Sequence, residues 1–230
     1  MTDEQRPKVL AAIPLYKTVD ALAVPHLFRT LFEAAQQGIL TQWEFLTNIF
    51  IARARNRCVA KALKMYDSGE LTHLFFMDDD TVCPPGTIGR LLSHNLPIVG
   101  GVYFDVMLTP MAWHYDPFRF VEDVPDSGLL RVGGMGCGCV LIDCRVLAAI
   151  ERQCGVAFLD EYRQRPLEAT WTGEDVYFFE QVRKLEIPVH LDCEVKCGHI
   201  KPTVITRDHY LMAQAAKAAQ KAAEAAPHVP

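Results

Sequence analysis

His73-Leu-Phe-Phe-Met77 runs straight into Asp78-Asp79-Asp80. A short apolar run without alternation reads as a strand buried on both faces, as in the interior of a parallel sheet. Three consecutive carboxylates repel one another, so an uncompensated cluster would tend to keep its protons. At the carboxyl end of a buried strand in an open α/β sheet, such side chains face the ligand crevice. A hard divalent cation relieves the repulsion there: Mg2+ or Mn2+ takes oxygen ligands and often shares them with substrate phosphates. The plainer reading is a solvated acidic turn capping the next helix, but a polar turn needs no such apolar strand to feed it.

The flanking sequence extends this strand into an alternating pattern. Upstream, Val9-Leu-Ala-Ala-Ile13, stopped by Pro14, reads as a first strand. Residues 25–37 have helical spacing at Leu27, Leu31, Phe32 and Ala35, with Gly38 as the stop. Trp43-Glu-Phe-Leu-Thr47 suits a second strand. Residues 52–66 suit a helix with Ala54, Val59, Ala60 and Leu63 on one side and Arg53, Arg55, Arg57, Lys61 and Lys64 elsewhere. Downstream, Pro84-Pro85-Gly86 opens a short helix over 87–94, and Pro97-Ile-Val-Gly-Gly101 is a further strand. This alternation predicts an α/β sheet with a mainly parallel core flanked by helices.

The second half is more mixed. Residues 111–115 and 128–132 read as short strands around a polar loop, 116–127. Cys139-Val-Leu-Ile-Asp143 is a strand, 145–153 a helix, 161–172 a loop, 174–185 a helix and Pro188-Val-His-Leu191 a last strand. Residues 213–226 are rich in Ala, Lys, Gln and Glu, which favours an exposed helix. The division expected is one domain over 1–210 and an Ala-rich helical tail over 211–230.

Composition narrows the function classes. Of 230 residues 50% are hydrophobic and 22% charged, which excludes disorder or coiled coil over most of the length. The net charge of −5 argues against holding nucleic acid by bulk electrostatics. No apolar run approaches the ~20 residues that cross a bilayer. The polar, acidic start does not read as a signal peptide, which points to a cytoplasmic protein. The eight cysteines contain no C-x-x-C pair; they read as reduced, small buried hydrophobes rather than a metal cluster.

Three further stretches could carry chemistry. In Thr172-Gly173-Glu174-Asp175, an ordinary helix start explains both acids, since carboxylates favour its positive end; the functional alternative is a general base aimed at an acceptor hydroxyl. In Cys197-Gly198-His199-Ile200, the imidazole becomes a candidate metal ligand once an acidic cluster exists elsewhere. In Ala52-Arg53-Ala54-Arg55-Asn56-Arg57, arginines at a helix start suit a diphosphate, against an exposed basic face as the bland reading. Gly134-x-Gly136-x-Gly138 is a decoy for a dinucleotide loop, because it leads into a strand instead of a helix. Trp113, Tyr115 and Trp171 could stack on a sugar ring or a base, or fill the core.

Taken in order, Ala52-Arg-Ala-Arg-Asn-Arg57, Leu74-Phe-Phe-Met-Asp-Asp-Asp80, Pro97-Ile-Val-Gly-Gly101, Gly173-Glu-Asp-Val-Tyr-Phe178 and Cys197-Gly-His-Ile200 resemble family 2-like glycosyltransferases of the GT-A fold. The likeness is to the short forms common in bacteria and their phages, and it spans about residues 9–200. It implies a nucleotide-sugar donor, UDP-linked first, and Mn2+ or Mg2+ as cofactor. It also implies metal ligation by Asp78, Asp80 and His199. The donor would be lined by Pro14, Tyr16, Arg55, Asn56, Asp78 and Asp79, with the 14–16 loop against the nucleobase. Glu174 and Asp175 would stand beside the acceptor, Asp175 as the base of an inverting transfer. Trp113 and Trp171 would meet an acceptor that is a glycan, a lipid-linked sugar or a modified phage-type DNA base.

The rival readings are distinct. A haloacid dehalogenase-like phosphatase would use Asp78 as nucleophile and Asp80 as acid/base, but the motif follows three α/β units rather than the first strand. Nucleotidyl transfer usually wants a Gly-rich basic loop after the first strand, which Ile13-Pro-Leu-Tyr-Lys17 does not supply. A non-catalytic nucleotide-sugar binding module is the third.

Overall fold

The computed structural model describes residues 7–15, 18–165, 168–204 and 206–225, with 161–165, 168–172, 216 and 218–225 described by backbone alone. Two units form, Met1–Ile200 and Lys201–Pro230. In chain order the first unit contains β1 (Val9–Pro14), α1 (Val24–Gln36), β2 (Leu40–Leu46), α2 (Ile51–Asp67), β3 (His73–Met77), β4 (Thr81–Val82), α3 (Thr87–Ser93) and β5 (Ile98–Val102). It continues with β6 (Ala112–His114), β7 (Arg119–Phe120), β8 (Leu129–Val132), β9 (Gly134–Met135), β10 (Cys139–Asp143) and α4 (Cys144–Cys154). Last come β11 (Glu161–Arg165), β12 (Glu168–Thr172), α5 (Glu174–Lys184), β13 (Val189–Lys196) and β14 (Gly198–His199). The second unit holds α6 (Arg207–Ala225).

Seven strands form the central sheet in the order β2-β1-β3-β10-β5-β13-β8. β1, β2, β3, β5 and β13 run one way; β10 and β8 run against them. The α/β class, the mainly parallel sheet, the flanking helices and the C-terminal Ala-rich helix are as expected.

Strand alternation explains the layers. Leu10, Ala12, Leu74, Phe76, Val140 and Ile142 point to one face, where α2, α4 and α5 contribute Cys58, Val59, Leu147, Phe178 and Phe179. The residues between them, Val9, Ala11, Ile13, Phe75, Met77 and Leu141, point to the other face, where α1 and α3 bring Leu27, Leu31, Ile88 and Leu91. Both faces are covered, so the strands read as continuous apolar runs. α4 starts where Asp143 Oδ1 accepts the Arg145 N–H at 2.8 Å, a side-chain N-cap. α3 is tied to β13 by the fully buried Asp192, which accepts from Arg90 at 2.5 Å and pairs with His94 at 2.7 Å.

Several expectations need correction. Residues 161–165 and 168–172, expected as a loop, pair antiparallel as β11 and β12, Glu161 opposite Thr172. The stretch lacks the apolar alternation that marks a strand packed on a core, so its backbone pairing left no trace in the pattern. β13 runs on to Lys196, its later residues alternating buried and exposed. α6 begins at Arg207, before the Ala-rich run, where the Tyr210 N–H bonds to the Thr206 carbonyl and His209 turns back onto Thr206. In α2 the buried face carries Ala54, Arg55, Cys58, Val59 and Ala62, whereas Ala60 is exposed. Arg55 is therefore inside, not on a basic outer face. No helix of the described residues is long and apolar enough to cross a membrane.

Candidate functional site

Parallel strands put their carboxyl ends side by side. Ala12 pairs with Phe76, which sets Pro14 at the end of β1 beside the end of β3, where Asp78 to Asp80 begin. β5 and β13 end on the same edge, followed by Tyr103 and by Gly198-His199. The Asp78 N–H bonds to the Gly138 carbonyl at 3.1 Å, and the Thr81 N–H returns to the Asp78 carbonyl at 3.1 Å, so the acidic stretch is a closed turn.

Asp80 and His199, far apart in sequence, meet here. β4 and β14 pair antiparallel, His199 opposite Thr81. The Ile200 N–H bonds to the Asp80 carbonyl at 2.8 Å, and His199 Nε2 lies 3.3 Å from Asp80 Oδ2. His199 Nδ1 is 2.7 Å from the Phe104 carbonyl. A carbonyl only accepts, so Nδ1 carries the hydrogen. Nε2 then faces a carboxylate either as a lone pair sharing a cation or as the second N–H of an imidazolium. A ring N–H given to a main-chain carbonyl is the usual support of a metal-binding imidazole. The hydroxyl of Thr81, in the same turn, is buried with no hydrogen-bond partner among the described residues. The carboxylate of Asp80 and the imidazole of His199 are ligand types that fit Mn2+ or Mg2+, whereas one oxygen of Asp78 is turned to Arg55.

The second half of the site is built on Arg55. Its guanidinium, 2% exposed, donates to Asp78 Oδ1 at 2.9 Å, to Glu174 Oε1 at 3.1 Å and to the Cys137 carbonyl at 3.4 Å. It also lies 5.1 Å from the centre of the Phe76 ring. Burial opposes its charge, but Asp78, Cys137 and Glu174 outweigh that and hold it protonated. Asp175 follows Glu174 in the first turn of α5. Burial first, then the Glu174 charge, push its carboxyl up to about 7, against the opposing pull of Arg55 and of the Val176 N–H. A carboxylate with that affinity for protons is suited to proton transfer near neutral pH.

Tyr103 joins the two halves, and the sequence reading missed it. Its ring meets His199 edge-on at 5.2 Å, and its hydroxyl accepts the Gly138 N–H at 3.2 Å. Burial first, then the charges of Asp78 and Asp175, raise its phenol well above the ordinary range. A Cβ on Gly136 would sit 2.0 Å from the Tyr103 hydroxyl oxygen, so this backbone approach requires glycine. The available signal was position: Tyr103 directly follows Pro97-Ile-Val-Gly-Gly101-Val102, at the end of a core strand.

Other expected residues fall elsewhere. Trp113 is 1% exposed and packs on Phe118 and Phe179, so it is a core side chain and not an acceptor platform. Asn56 does not face the carboxylates. Its amide donates to the Phe158 carbonyl at 2.6 Å, and its oxygen accepts the Ala157 and Phe158 N–H groups, a clamp on the main chain after α4. The bulk of Arg55's hydrogen-bonding fork is likewise spent inside the protein. Asp79 is half-buried in the turn. Tyr16 and the Trp171 side chain lie outside the described residues. A cavity of about 490 Å³ opens at the amino-terminal end of β13, lined by His114, Arg131, Arg183 and Val189, away from the carboxylates.

No protein-family model matches the chain, and no curated protein matches it. Among solved structures it is similar to A197 from STIV, with TM-score 0.57 and 21% identity over 85% of this chain and 86% of that one. It is also similar to GalNAc-T7, solved with UDP, GalNAc and Mn2+, with TM-score 0.46 and 12% identity over 86% of this chain and 45% of that one. The likeness to A197 shows the fold.

Proposed function

We propose that the chain is a divalent-metal-dependent glycosyltransferase of the GT-A type. In this reading it moves a sugar from a nucleotide-diphosphate donor, UDP-linked first, to an acceptor hydroxyl. The observation that carries the reading is the meeting of Asp80 with His199, its Nδ1 committed to the Phe104 carbonyl. Asp80 and His199, together with Asp78, would hold the Mn2+ or Mg2+. When bound, the cation neutralises the diphosphate that leaves.

The chain's own groups do the remainder. Pro14 and its neighbours at the end of β1 line the base side of the donor. Arg55 holds Asp78 and Glu174 in place, and so sets the distance between the turn after β3 and the first turn of α5. Asp175 takes the acceptor proton as the hydroxyl attacks the anomeric carbon, giving inversion. Asp78 as a phosphatase nucleophile fits less well, because one of its oxygens is held by a buried guanidinium. The acceptor classes are a glycan, a lipid-linked sugar or a modified DNA base. The cytoplasm, of a bacterium or of a phage-infected cell, suits a chain whose eight cysteines are all unpaired thiols.

The test is a thermal-shift series with UDP, GDP and dTDP, each with and without Mn2+, followed by mass spectrometry of donor hydrolysis over a panel of nucleotide sugars. Stabilisation that requires nucleotide and metal together, with release of one nucleoside diphosphate, is expected. Nucleotide-free phosphate release from a simple monoester would overturn the reading in favour of a phosphatase.

A further inference from the structure

Cys83 follows β4, Cys139 opens β10 opposite Met77, and Cys197 lies between β13 and β14. No spacing in the sequence joins them, yet their three Sγ atoms all lie within 4.8 Å of one another. The Cys197 thiol donates to the Val195 carbonyl at 3.9 Å. A Cβ on Gly101 would stand 2.9 Å from Cys197 Sγ, so only glycine brings the backbone this close to the sulfurs. The exposures of Cys83, Cys139 and Cys197 are 0%, 0% and 7%, and the same cluster includes Met77, Val99, Leu141 and Val195.

We propose that Cys83, Cys139 and Cys197 form a three-sulfur binding site for one trivalent thiophilic ion of the arsenic(III) type. With ion–sulfur bonds of ~2.3 Å, three sulfurs around one pyramidal trivalent ion stand roughly 3.4 Å apart, so the thiols, now within 4.8 Å of one another, close on it by moving inward. Charge selects the ion. Three thiolates on Cu(I) leave a charge of −2, and on Zn2+ a charge of −1, in apolar surroundings where unpaired charge is expensive. A trivalent ion leaves the site neutral. Arsenite enters by exchange: three As–O bonds break, three As–S bonds form, and each thiol proton leaves with a hydroxide as water. Arsenic stays trivalent, and no oxidant or reductant is consumed. This site is independent of the transferase reading, since it uses none of the carboxylates or His199.

The full reduced chain is incubated with arsenite, and in a second arm with Cu(I), then desalted. Native mass spectrometry is expected to show one arsenic per chain, and arsenic X-ray absorption three sulfur neighbours and no oxygen. Cys83→Ala, Cys139→Ala and Cys197→Ala are each expected to weaken retention at least tenfold, and Cys193→Ala to leave it unchanged. The absorption measurement on the unaltered protein decides the matter even if a variant fails to fold. No retained arsenic, fewer than three sulfur neighbours, or retention of Cu(I) without arsenite would overturn the proposal.

Discussion

Replacing Arg55 with Met removes a cation from the centre of the site while keeping most of the side-chain volume. Arg55 is 2% exposed and contacts Asp78 at 2.9 Å and Glu174 at 3.1 Å, and it also pulls down the carboxyl of Asp175. At an effective dielectric of 20, one charge pair near 4 Å is worth about 4 kcal/mol before desolvation. Breaking a buried pair from one side typically costs about 3–5 kcal/mol, because the partner charge stays buried. Here the partners retain side-chain exposures of 26% and 14%. The expectation is therefore the lower end, about 3 kcal/mol, or about a hundredfold in the folding equilibrium. Asp175, already pushed up to about 7 by burial and Glu174, loses the opposing pull of Arg55 and holds its proton still more tightly folded than unfolded, so the folded variant binds more protons and gains stability as pH falls. Urea denaturation of Arg55→Met is thus expected to show the full loss at pH 7.5 and a smaller one near pH 4.5. A loss under ~0.5 kcal/mol at pH 7.5, or one that grows on acidification, would refute the view that Arg55 neutralises these acids.

Other outcomes follow from the same geometry. Asn56→Ala strips the Ala157–Phe158 main chain of its partners and is expected to cost about 2 kcal/mol, lowering Tm by roughly 4–8 °C with nucleotide affinity unchanged. A loss of affinity with no loss of Tm would return Asn56 to the donor site. Gly136→Ala must displace Tyr103, and with it the ring that supports His199; Mn2+-dependent nucleotide titration is expected to weaken, and unaltered affinity counts against Tyr103. Asp175→Asn is expected to cut turnover at least ~100-fold while sparing nucleotide binding. With its carboxyl pushed up to about 7, the unaltered rate should climb as pH rises through neutrality, when that group loses its proton; a flat profile there removes the base assignment.

The alternating apolar runs made the sheet and its helices legible, because strands covered on both faces leave no polar gap from Val9 to Ile13 or from Leu74 to Met77. The end of β3 was legible for the same reason: Asp78 to Asp80 interrupt such a run abruptly. Arg55 was misplaced because its charge suggested solvent, whereas its position one helical turn from Ala52, Cys58 and Val59 put it on the buried face. Asn56, its neighbour, takes the angle that reaches the loop after α4. Trp113 offered no way to choose between core and sugar platform, since an aromatic ring suits both. Tyr103 and the three clustered thiols depend on which strand ends become neighbours, and β10 is inserted between β3 and β5 out of chain order. The β4–β14 pairing that joins Asp80 to His199 is two residues long, too short for any periodicity.

The most direct test of the central claim is anomalous diffraction from crystals grown with Mn2+ and UDP. A manganese peak about 2.0–2.3 Å from His199 Nε2 and an Asp80 carboxylate oxygen, with diphosphate oxygens completing the shell, is the predicted result. Nucleotide bound with no manganese at that pair, or manganese held somewhere else, would contradict the account.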